Sequence, residues 1–85
     1  MLDPRIAGLV ARLRSGSDVA RGEAARELGN LAHGNAAAKE EIRRQGGIEA
    51  LLALVRGGGA KAQEWAAYAL NHLAEPSHGF SIENS

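Results

Sequence analysis

Apolar residues recur along this chain at spacings of three and four. Ile6, Leu9, Val10 and Leu13 form one set, and Ile48, Leu51, Leu52 and Val55 form another. Residues so spaced share one side of a helix, and each set therefore predicts an amphipathic α-helix. After each set comes a second stripe, Ala24, Leu28 and Leu31 in one case and Ala66, Leu70 and Leu73 in the other. Each predicts a further helix. The punctuation between them agrees: Ser15-Gly16-Ser17-Asp18 ends one helix at a glycine and offers Ser17 or Asp18 to cap the next, while Gly57-Gly58-Gly59 stops a helix without an obvious cap. Asn35 can cap a short helix over about residues 36–44, closed by Gln45-Gly46-Gly47. Asp3-Pro4 reads as a helix start with proline at its first position, where the missing N–H is harmless.

The two sets are copies of one another. A shift of 42 residues aligns Ile6 with Ile48, Leu9 with Leu51, Arg14 with Arg56, Ala24-Ala25 with Ala66-Ala67, Leu28 with Leu70 and Leu31-Ala32 with Leu73-Ala74, without a gap. A fixed period of this length indicates repeated helical units. The order predicted is long, long, short, long, long, with residues 1–33 as a first, incomplete unit, 34–75 as a second, complete one, and 76–85 as an irregular tail containing Pro76 and Gly79.

A short helix, a Gly-Gly-Ile junction and a last helix reading Ala-Ala-x-x-Leu-x-x-Leu-Ala resemble the armadillo repeat, over residues 4 to 75 and most specifically over residues 34 to 55. The HEAT repeat, which lacks the separate short helix, is the alternative and fits the first copy alone better than the whole. The resemblance implies an all-α, right-handed α-solenoid whose third helices line a concave groove. There a repeated Asn would grip the backbone of an extended peptide and a Trp one turn earlier would pack on its side chains. Asn30 stands at the Asn position of the first copy, with Arg26 at the Trp position and Glu23 one turn before. Trp65, Tyr68 and His72 occupy the same places in the second copy, so neither copy carries the full pair. These six residues are the expected peptide-binding site. The function so implied is a protein-interaction module that takes an extended peptide or partner protein along the groove.

Composition narrows the chemistry. Hydrophobic residues make up 45% of the chain but aromatic ones only 4%, so alanine and leucine must fill any core and helices must approach closely. Ten basic and ten acidic side chains cancel, leaving no field to gather nucleic acid or an anionic membrane. Arg5, Arg12 and Arg14 could form only a small basic strip. No cysteine is present, and no uncharged apolar run reaches the ~20 residues a membrane span needs. A soluble, intracellular protein of the cytoplasm or nucleus is the expectation. His33, His72 and His78 lack the spacing of metal ligands, and Gly57-Gly58-Gly59 lacks the flanking strand and Lys-Ser/Thr of a phosphate loop. The serines stand outside any nucleophile motif, and Glu40-Glu41 with Arg43-Arg44 read as a solvated helix face. No enzyme activity, metal or cofactor is expected.

Differences between the copies point to self-association. Leu54 stands where the first copy has Arg12, and Ala69 where it has Glu27, so the second copy's helices are apolar over more than one face. A repeat of that kind needs a neighbour, since end repeats carry polar outer faces. The alternative function is thus a structural solenoid fragment that forms a homo-oligomer through its open ends, by end-to-end stacking or a two-fold pairing of the second copy's face, using Leu54 and Ala69 with Phe80 and Ile82 contributing.

Overall fold

A computed structural model describes residues 4–74. It contains five helices: α1 (Pro4–Arg14), α2 (Asp18–Ala32), α3 (Ala36–Arg44), α4 (Gly47–Gly57) and α5 (Ala60–Ala74). The expected tail at 76–85, with Phe80, Ile82 and His78, lies outside the described residues.

Local chemistry sets the joints. Gly16, at φ 104°, turns the chain out of α1, and the Ser17 hydroxyl caps α2 by accepting the Ala20 N–H at 3.2 Å. Asn35 does the same for α3, its Oδ1 accepting the Ala38 N–H at 3.0 Å. Gly46 adopts the left-handed conformation, φ 82°, that ends α3, and its carbonyl accepts from the Arg14 guanidinium at 3.3 Å. The cap missing from the sequence ahead of α5 is supplied from the other copy. Asp18 Oδ2 accepts the Gly59 N–H at 3.0 Å, while its other oxygen pairs with Arg21. One carboxylate therefore serves the starts of two helices.

All five helices contribute to a single core, from Ile6, Val10 and Leu13 on α1 to Ala66, Ala69 and Leu73 on α5, and half of that core is alanine. Small residues let helices close tightly, above all along the α2–α5 seam, where Gly22 lies so near α5 that a Cβ would sit 3.4 Å from the Ala62 Cα. α1 packs on α2, α3 and α4, and α4 on α5. The result is a closed bundle with a radius of gyration of 12.7 Å and extents of 42 × 28 × 17 Å, against about 11–12 Å for a compact globule of this length.

This overturns the expected architecture. A right-handed armadillo-type α-solenoid gains length and a concave groove by adding units along an axis. Here helices from both copies draw together on one core and form a compact five-helix bundle. The helical pattern dictates where helices form, while the Ala and Gly seams decide that they close up. A smaller correction concerns α3: Glu41 is buried, with its Oε2 accepting from Gln45 Nε2 at 2.7 Å, so Glu40-Glu41 is not a wholly solvated face.

Candidate functional site

The α2–α5 seam gathers most of the residues expected to bind peptide. Trp65, Tyr68 and His72 follow one another down α5 at i, i+3 and i+7, all half-buried. Tyr68 sets its ring edge-to-face with Trp65 at 5.4 Å and with His72 at 4.6 Å, the arrangement that aromatic quadrupoles favour. From α2, the Arg26 guanidinium lies 5.7 Å from the Trp65 ring centre, within reach of a cation–π attraction. Asn30 Oδ1 accepts the Tyr68 hydroxyl proton at 2.6 Å. His33 completes the row, its Nδ1 3.3 Å from the Nδ1 of His72 and its ring edge-on at 4.8 Å. Gly29 makes room for it all: a Cβ there would lie 2.6 Å from the Tyr68 ring.

The row is engaged with itself. Asn30, the residue expected to grip a peptide backbone, spends its carbonyl on Tyr68, and Arg26 rests on Trp65. Glu23 stands apart from these pairings. It lines, with Arg26, Glu27, Arg5 and Arg12, a charged groove of about 530 Å³ between α1 and α2. His33, weighed in the sequence only as a metal ligand, stands three residues after Asn30 and so in the same helical phase.

Leu54 and Ala69 are 2% and 0% exposed, inside the core. The wide apolar stripes of α4 and α5 are therefore filled within the chain at these two positions. Among the described residues, an adjoining side of the same helices is more open. Leu52 is 40% exposed, Ala67 and Ala74 are exposed, and Ile48, Val55 and Leu70 are half-buried. Val55, Ala67, Tyr68, Leu70 and Ala74, with Glu64 and Asn71, line a shallow depression there.

No family model, curated protein or solved structure matches this chain. Membership of the armadillo family, implied by the motif resemblance, is thus unsupported by any comparison, and the compact bundle contradicts it. With the solenoid goes the concave groove on which the expected clamping of an extended peptide by residues 23, 26, 30, 65, 68 and 72 depended. The alternative of a solenoid fragment assembling through open repeat ends falls for the same reason. Among the described residues no helix is long and apolar enough to cross a membrane.

Proposed function

We propose that this chain is a non-enzymatic domain that works by docking a protein on the outer face of α4 and α5. A comparison of equivalent positions carries the reading. Ile6, Val10, Leu13, Ala25, Leu28 and Ala32 are buried in the core, where α1 packs on α2, α3 and α4, and α2 on α5. Their counterparts 42 residues on, Ile48, Leu52, Val55, Ala67, Leu70 and Ala74, have the same apolar character and are left partly or fully open. An apolar face left partly open among the described residues is of the kind that protein-contact surfaces use.

Several described polar groups hold structural roles, which favours binding over catalysis. Ser17 caps α2, Ser15 bonds the Ala11 carbonyl at 3.2 Å, and the two histidines lie against each other. A photo-cross-linking amino acid at position 52 or 67, introduced in the cells that make the protein, tests the reading. Discrete, saturable protein adducts are expected from these positions and not from position 8 on α1. Equal labelling from all three, or none, would remove it.

A further inference from the structure

The geometry points to a zinc site formed by His33 and His72 at the end of the α2–α5 seam, a reading independent of the docking face on α4 and α5. The two residues are 39 apart in the chain, so no local spacing announces them as ligands, and only the fold brings them together. Their Nδ1 atoms lie 3.3 Å apart. Two imidazole nitrogens at that separation, each about 2.05 Å from one zinc ion, subtend about 107° at the metal, close to the tetrahedral angle that zinc adopts. The square arrangement that copper and nickel favour sets neighbouring nitrogens at about 2.9 Å.

The place of the pair in the fold favours a cation. α2 and α5 run parallel, with Gly22 beside Ala62 and, further along, Gly29 beside Ala69. Both helices therefore end on the same side of the molecule, and both histidines sit there: His33 is the C-cap of α2, and His72 lies in the last turn of α5. The carbonyl ends of two helix dipoles converge on this point and attract positive charge. α5 already satisfies that preference once, its Leu73 carbonyl accepting from Arg43 at 3.0 Å. The Arg43 charge is offset by Glu40 at 3.7 Å, which lowers its repulsion of a second cation.

The ligands are held in position before a metal arrives. Tyr68 meets the His72 ring edge-to-face at 4.6 Å, and the bond from its hydroxyl to Asn30 ties it to α2. Side chains locked in this way lose little freedom on binding. His33 is exposed, so water reaches the ion. Among the described residues no group of three or more His, Cys, Asp or Glu side chains is placed to hold a metal, so the described residues supply two ligands and water completes the tetrahedron. Binding requires both Nδ1 atoms unprotonated. The proton shared across the 3.3 Å contact is relocated through solvent to Nε2 of the ring that carries it, and both imidazoles stay neutral. Two ligands in place of the four of a structural site make the affinity modest, with a dissociation constant on the order of 10–100 μM. Bound zinc fastens the last turns of α2 and α5 to each other.

Isothermal titration calorimetry of the full chain with zinc chloride near pH 7.5 tests the site, with His33→Ala, His72→Ala and His78→Ala alongside and far-UV circular dichroism to verify that each remains helical. The wild type and His78→Ala should each take one zinc per chain, and the other two variants should bind at least tenfold more weakly. At about 1 mM zinc the thermal midpoint of the wild type should rise by roughly 5–15 °C, reversibly with EDTA. A second readout needs no variant and decides the matter where one loses its helix signal. Long-range proton–nitrogen NMR of the wild type should show zinc moving the Nδ1 resonances of two histidines and leaving the third. Absence of both heat and thermal shift up to about 1 mM zinc, one zinc per two chains, or full binding by either His33→Ala or His72→Ala overturns the inference. Zinc held through Nε2, with the Nδ1 resonances unmoved, overturns it equally.

Discussion

Gly8 and Gly29 both sit inside helices, yet a methyl group should act oppositely at the two. Nothing lies within 4 Å of a Cβ built on Gly8, so Gly8→Ala should stabilise the fold by about 0.5–1 kcal/mol through reduced backbone freedom in the unfolded chain. At Gly29 the new atom would meet the Tyr68 ring at 2.6 Å and the Ala69 Cα at 3.2 Å. The ring is held between Trp65 and His72 and cannot swing aside without breaking its bond to Asn30. Gly29→Ala should therefore destabilise by about 1–3 kcal/mol despite its better helix propensity. Urea unfolding of both variants checks the pair, and equal effects would contradict the seam as described. Tyr68→Phe isolates the hydroxyl: loss of the Asn30 bond should lower stability by about 0.5–1.5 kcal/mol, measurable in the same titration.

Among the elements, α5 depends on a residue far from it in sequence. Asp18 accepts the Gly59 N–H and pairs with Arg21, so Asp18→Ala removes a first-turn charge from α2 and the only side-chain cap given to α5 among the described residues. A combined loss of about 1–2 kcal/mol is expected. The diagnostic is its location. Amide hydrogen exchange should quicken at residues 60–63 as well as at the start of α2, whereas an effect confined to α2 would mean that the link across the bundle carries no weight. Sequence alone leaves Gly57-Gly58-Gly59 without a cap, since local capping patterns look only three or four residues away.

For the whole molecule, two leucines two residues apart on α4 separate core from surface. Leu54 is 2% exposed and Leu52 is 40% exposed. Leu54→Ala should lower stability by about 2–5 kcal/mol by opening a cavity in the shared core. Leu54→Arg, which would place a charge at a buried position, should destabilise more strongly still. Leu52→Ala should change monomer stability by less than about 1 kcal/mol. Thermal unfolding at low micromolar concentration distinguishes these outcomes.

Helix positions, their order and their caps at Ser17 and Asn35 were legible in the sequence, because they rest on interactions within one turn. So was the common phase of Arg26, Asn30, Trp65, Tyr68 and His72, which periodicity alone places on matching sides of two equivalent helices. What those residues do for one another was not legible. Whether Asn30 faces a ligand or the Tyr68 hydroxyl depends on how close α2 and α5 come, and that distance is set by Gly22, Gly29 and the alanines jointly. The same holds for the contrast between the copies. Val10 and Leu52 are equivalent in pattern, but Val10 is 2% exposed and Leu52 40%. An apolar pattern states that a face is to be covered; the tertiary packing of α4 and α5 onto α1 and α2 decides which of two like faces is covered and which is left partly open among the described residues, because each helix pair can present a given side to only one neighbour.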